Sequence, residues 1–239
     1  MSELLRRIYD YLEEIKDNDK DFYNEVNVFL SSINDSRVPK HFPEYEDAFM
    51  NFNEKNMKRD TIMMLTRSFC QSVGYYGIVT ENYCKELKDY IGDKKVLEVM
   101  SGRGFLAKGL AEQGVFVKAT DDLSWPNMKD PLTEIDNISA IEAIKKHGKD
   151  FDILLISWPP YNDYAINEAI QHWGAKKEIL YIGEDDGCCA NEEFFKMIKM
   201  KKSNIKQPQF SGMHDNLYHC HLKNKYDLTL KSSSKNKIS

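Results

Sequence analysis

The chain has 239 residues, of which 41% are hydrophobic, 30% charged and 12% aromatic, a globular composition that excludes a wholly disordered, collagen-like or coiled-coil protein. This length fits one large domain or one domain with an appendage. The formal net charge of −5 is unevenly spread: from Lys196 to the end ten Lys face two Asp, a net +8, and the preceding residues carry −13.

No apolar run approaches the roughly 18 residues of a membrane span, and the opening segment SELLRRIYDYLEEIK is too charged for a signal peptide. A soluble, intracellular protein is expected, cytoplasmic or nuclear, without a membrane partner. Five cysteines, Cys70, Cys84, Cys188, Cys189 and Cys220, are odd in number in a chain that needs no staples, so they read as reduced thiols. The basic end reads either as a solvated Lys-rich helix with a frayed tail or as a surface for a phosphate backbone, which makes nucleic acid a candidate partner.

Up to about Ser72 apolar residues recur at helical spacing, as in Leu5, Ile8, Leu12 and Ile15, then Phe22, Val26, Phe29, Leu30 and Ile33. Val38-Pro39 and Phe42-Pro43 break this region with a loop over about 37–43. Thr80 is placed to cap a helix over 81–91 that ends at Gly92. Beyond it short apolar strands alternate with helices, the pattern of a parallel sheet covered on both faces. Strands are expected at 96–100, 115–120, 132–135, 151–156 and 178–182, with helices over 104–113, 139–147, 163–173 and 191–201. The segments 207–211, 216–222 and 226–230 read as late strands, and 231–239 as a disordered tail.

The run Val96-Leu97-Glu98-Val99-Met100-Ser101-Gly102-Arg103-Gly104 is a strand, a glycine turn and a helix start. Gly102 suits φ > 0, Gly104 allows close approach of a ligand, and Asp121, at the end of the next strand, can accept hydrogen bonds from ribose hydroxyls. Gly102-x-Gly104-x-x-Ala107 matches a dinucleotide fingerprint, but a charged Glu98 is out of place in the apolar first strand of a nicotinamide-binding fold. A plain turn with nothing bound is the remaining alternative.

The same residues resemble the first motif of the class I S-adenosylmethionine-dependent methyltransferases, acidic-x-Gly-x-Gly-x-Gly, read here as Glu98-x-Met100-x-Gly102-x-Gly104 with Met100 at the first glycine. The resemblance implies a Rossmann-like α/β sheet, mostly parallel, of seven strands with a late antiparallel hairpin, over about 91–230, behind an N-terminal helical lid over 1–90. It implies S-adenosylmethionine as cofactor, Glu98 at its amino group, Asp121 at its ribose, backbone contacts from Asp122, and Asp136 and Asn137 at its adenine. Asp136 reads equally as the cap of the 139–147 helix. Of Tyr75 and Tyr76, one would close over the cofactor or be a buried lid aromatic.

The string Ser157-Trp158-Pro159-Pro160-Tyr161 ends a buried strand. Two prolines fix the backbone and leave carbonyls at the carboxyl end of the sheet, where open α/β folds bind ligands, although Pro-Pro also simply stops strands. The string resembles the Asp/Asn/Ser-Pro-Pro-aromatic motif of amino-methyltransferases, with Trp158 at the polar position and Ser157 one residue early. The resemblance implies methyl transfer to a nitrogen, an adenine-type exocyclic amine or another amine or amide, with these five residues as the catalytic candidates. The methyl acceptor and the oligomeric state are not legible. The alternatives are a non-catalytic S-adenosylmethionine-binding module with a degenerate site and an NAD-dependent oxidoreductase.

Two further clusters are ambiguous. Glu184-Asp185-Asp186-Gly187 suits a cationic substrate or Mg²⁺, or a polar turn before a helix capped by Asn191. His214, His219, Cys220 and His221 include two strand-spaced histidines but no zinc pair, so no metal site is expected, and His214-Asp215 would line the substrate mouth.

Overall fold

The structure, a computed structural model, describes residues 2–46, 48, 50–125, 130–185 and 188–230. The proposed tail at 231–239 and Asp186 lie outside the described residues.

Four helices come first: α1 (Glu3–Ile15), α2 (Lys20–Asn34), α3 (Glu54–Ser72) and α4 (Glu81–Ile91). Ser2, Asn53 and Thr80 side chains accept the backbone N–H of Leu5, Asn56 and Tyr83, satisfying donors at three of the four starts. The apolar stripes expected from spacing are buried. Arg59 on α3 donates to both carboxylate oxygens of Asp19, at 2.6 and 2.7 Å, and holds the α1–α2 corner against α3. No described helix is long and apolar enough to cross a membrane.

The remainder runs β1 (Val96–Val99), α5 (Phe105–Glu112), β2 (Val117–Asp121), β3 (Ile135–Asn137), α6 (Ala140–His147), β4 (Ile153–Ser157), α7 (Ala165–Trp173), β5 (Glu178–Gly183), α8 (Glu192–Met197), β6 (Ile198–Lys202) and β7 (Asn216–Leu222). The strands form one sheet in the order β3-β2-β1-β4-β5-β7-β6. The first five are parallel, and β7 pairs antiparallel with both β5 and β6. This is the expected Rossmann-like sheet with its late hairpin. Strand order reverses between β1 and β4, and the crevice at their carboxyl ends is where such sheets bind ligands.

Two hydrophobic clusters cover the two faces of the sheet. One joins α1–α4 and α5 to Val96, Ile153, Leu155, Leu180 and Ile182, and the other joins α6, α7 and α8 to Leu97, Val99, Leu154 and Ile156. The first cluster runs without interruption across residue 90, so the helical segment and the sheet share a core.

The late elements correct the sequence reading. The helix expected over 191–201 stops at Met197 and passes directly into β6, whose Ile198 is buried while Lys199, Lys201 and Lys202 are exposed. Lysines on an exposed edge strand discourage pairing with another chain, which gives part of the basic end a structural role. Residues 207–211 form no strand: the Gln207 amide donates to Ile78 O, and Phe210 packs edge-on against Phe42. Residues 226–230 form none either, because Asp227 accepts the N–H groups of Ala175 and Thr229 and turns the chain. The second and third strands start two and three residues later than expected.

Candidate functional site

A cavity of about 410 Å³ opens at the carboxyl ends of β1, β2 and β4, within the size range of small-molecule sites. Its floor is Glu98. Strand β1 is buried throughout, so this carboxyl is fully enclosed; Oε1 accepts from Ser157 Oγ at 3.1 Å, Oε2 reaches hydrogen-bond geometry with no described group, and the Ala107 N–H at the start of α5 favours the charged form. Burial, with a lesser push from the Asp121 charge, raises its pKa to about 8. A buried acid that lines a cavity and keeps one oxygen unsatisfied can take a cationic or N–H donor from a ligand.

Asp121 ends β2 and lines the same cavity. Its Oδ2 accepts the Gly102 N–H at 2.8 Å and its Oδ1 the Leu123 N–H at 2.7 Å. Burial raises its pKa despite these bonds. The carboxylate therefore shapes the glycine turn, and its remaining lone pairs are available to hydroxyl donors.

Two non-glycine residues in the wall have left-handed backbone: Met100 at φ 55° after β1 and Trp158 at φ 44° after β4. Each such residue costs on the order of 1–2 kcal/mol, and strain of this kind clusters at ligand sites. Met100 thus adopts the conformation that a glycine at its motif position would take without strain. The Trp158 indole lies against Gly77, where an added Cβ would come within 2.0 Å of Cε2.

The cavity wall includes Tyr76, Glu98, Met100, Gly102, Asp121, Asp122, Ser157, Trp158, Pro159, Pro160 and Tyr161, which brings together most of the candidates. Tyr76 stands at the mouth, edge-on to Trp125 at 5.9 Å. Tyr75 is a core residue: its hydroxyl donates to Val79 O and accepts from Val79 N–H. Tyr161 is 62% exposed at the rim.

Three candidates are placed elsewhere. Gly104 has φ 80°, but its bare face meets Thr133, with 2.8 Å between an ideal Cβ and Cγ2, so the missing side chain admits protein rather than ligand. Asp136 points to Lys118, Lys146 and His147, and Asn137 is exposed; neither lines the cavity. Nor does Asp136 cap α6, since Ser139 does so in a capping box with Glu142. Ser139 and Ala140 line the cavity in their stead, and the Ser-x-x-Glu pattern was legible in the sequence.

The strand-four motif is only partly free. Ser157 Oγ is spent on Glu98, Pro159 O accepts the Ala190 N–H and Pro160 O the Asp163 N–H. Asn191 caps α8 as expected and its amide also donates to Asp163 O, tying this loop to the loop after β5. Glu184 is buried and accepts the His214 N–H, while His214 is exposed and Asp215 buried, so Met213 is the residue of that turn that lines the cavity. The Trp158 indole N–H favours the charged form of Asp215 without reaching hydrogen-bond geometry. His219 packs at a tilt against Tyr90 beside Glu178, and no group of three or more His, Cys, Asp or Glu side chains that could hold a metal ion occurs among the described residues.

No protein-family model matches the chain, and no curated protein does. Among solved structures it is similar to a mutant of MtNAS in complex with S-adenosylmethionine, at 10% identity and a TM-score of 0.44 over 88% of this chain and 82% of that one. It is similar to Burkholderia thailandensis 1,6-didemethyltoxoflavin-N1-methyltransferase with bound S-adenosylhomocysteine, at 12% identity and 0.42 over 78% and 95%. A third is human N-acetylserotonin methyltransferase in complex with SAM, at 10% and 0.39 over 90% and 70%. Likeness at this level carries no functional argument, and the chain's own geometry has to do so.

Proposed function

We propose that the chain binds S-adenosylmethionine in this cavity and transfers its methyl group. The observation that carries the reading is Glu98, an enclosed carboxyl with one unsatisfied oxygen, lining the cavity at the switch point of the sheet. Residues Glu98, Met100 and Gly102 would hold the methionine part, with Asp121 at the ribose. The cofactor supplies an electrophilic sulfonium methyl, so in-line displacement needs alignment of the acceptor more than acid–base help.

A nicotinamide dinucleotide fits less well. Its pyrophosphate needs the second glycine and the helix start that follows, whereas here Thr133 and Ile135 cover Gly104 and an acid lies beneath the turn.

Nitrogen as the acceptor atom draws support from Tyr161 and from the position of Pro159 and Pro160 at the cavity wall, the two proline carbonyls each already accepting one backbone N–H. Ser157 adds none, because its hydroxyl serves Glu98, and Trp158 offers no amine-holding oxygen. Thermal melting tests the cofactor reading: S-adenosylhomocysteine at about 100 Kd should stabilise the fold by about 2.7 kcal/mol, and NAD at the same concentration should not. Stabilisation by NAD alone would reverse the assignment.

A further inference from the structure

Among the charged side chains of the cavity wall, one makes no hydrogen bond or ion pair with a described residue. Glu98 is bonded to Ser157, Asp121 to the Gly102 and Leu123 amides, Asp122 to the Ser124 amide and Asp163 to the Ala165 amide. Arg103 is spent as a strut, donating to Val73 O, Asp130 O and Ser36 Oγ. Arg67, on α3, is half-buried in the wall and makes no hydrogen bond or ion pair with any described residue. Its charge is felt by Asp215, just before β7, and Cys188, just after β5, which puts it toward the β5–β7 side of the cavity. That side is the acceptor half if the cofactor lies as proposed.

This half-buried guanidinium keeps its hydrogen-bond donors unspent, with the buried Asp215 feeling its charge but making no ion pair with it, and its planar fork matches an oxyanion. Tyr161, after β4, is exposed at the mouth and the Trp158 indole lies in the wall, whereas Tyr76 and Trp125 pack edge-on together on the β2 side. We propose that Arg67 anchors the acceptor, and that the acceptor is a small planar molecule carrying a carboxylate or phosphate group. This rests on the methyltransferase reading for the identity of the other ligand, but not for the anion site itself.

The test is calorimetric titration of the full chain with benzoate, phenyl phosphate and the neutral benzamide, with and without saturating S-adenosylhomocysteine. Benzoate or phenyl phosphate should bind saturably and benzamide should not; whichever anion binds more tightly identifies the oxyanion. In Arg67→Met that affinity should fall by at least about tenfold, the scale of losing charged hydrogen bonds, with Arg67→Lys recovering part of it. Melting curves verify that both variants fold. Saturable anion binding that survives in Arg67→Met, or its absence in the unaltered chain while S-adenosylhomocysteine binds, overturns the proposal and leaves the cofactor reading standing. Arg67-dependent anion binding in a chain that does not bind S-adenosylhomocysteine sustains the anion site, and removes both the cofactor reading and the acceptor role.

Discussion

Ser157 Oγ donates to Glu98 Oε1 at 3.1 Å, joining the ends of the two central strands, β1 and β4, beneath the cavity. Among the described residues Ser157 is the only hydroxyl donor to the enclosed carboxyl, and with the Ala107 N–H it works against the burial that pushes Glu98 to about 8. A carboxyl whose folded pKa is raised stays protonated through neutral pH, so folding stability is lost as pH rises from the ordinary carboxylate range towards 8. A bound amino cation favours the ionised form, so cofactor affinity should move the opposite way. Affinity for S-adenosylhomocysteine is expected to increase by up to about tenfold per pH unit below about 8 and then level off. Glu98→Gln should flatten that profile, and Ser157→Ala should shift its inflection upward. Calorimetry across this range checks both, and a pH-independent affinity in the unaltered chain would remove Glu98 from the amino-group role.

Asp121 has two tasks, bracing the Gly102 turn and facing the cavity. Asp121→Ala should weaken S-adenosylhomocysteine binding by about 1–3 kcal/mol, the scale of hydrogen bonds to a charged group. Titration of the variant reads this directly, and unchanged affinity would detach Asp121 from the ligand.

Gly77 and Trp158 make a close-packed pair across the cavity wall. A methyl group at Gly77 displaces the indole, so Gly77→Ala should destabilise the fold by about 1–3 kcal/mol, as over-packing does. Adding Trp158→Ala removes the obstruction, and the double variant should be less destabilised than the sum of the two single changes. Additive losses in denaturant melts would contradict the contact.

Met100 predicts an inverted glycine effect. In ordinary helix or strand interiors glycine is less stable than alanine, but at φ 55° Met100→Gly should be more stable than Met100→Ala by about 1 kcal/mol. Paired melting curves decide the sign.

The parallel part of the sheet was legible because it depends on local chemistry: an apolar Val96–Val99, a glycine turn, and Ser157 followed by two prolines. Strand β6 was not, since Ile198-Lys199-Met200-Lys201-Lys202 is too short to separate a period of 2 from one of 3.6 and lysine suits both elements. The same limit applied to side-chain direction. Asp136 sits at the end of β3 as expected, yet Lys118 and His147, distant in sequence, draw its carboxylate away from the cavity. Gly104 answers to Thr133 for a similar reason. Arg67 gave no signal at all, because one arginine on a helix acquires meaning only from the partners it lacks in three dimensions.

The most direct test of the proposed activity is calorimetric titration of the purified chain with S-adenosylmethionine and S-adenosylhomocysteine, with NAD as control and Glu98→Gln run alongside. Saturable binding of the first two, weakened in the variant, and no binding of NAD is the expected result. Binding of NAD, or of neither sulfur compound, would contradict the assignment of this cavity.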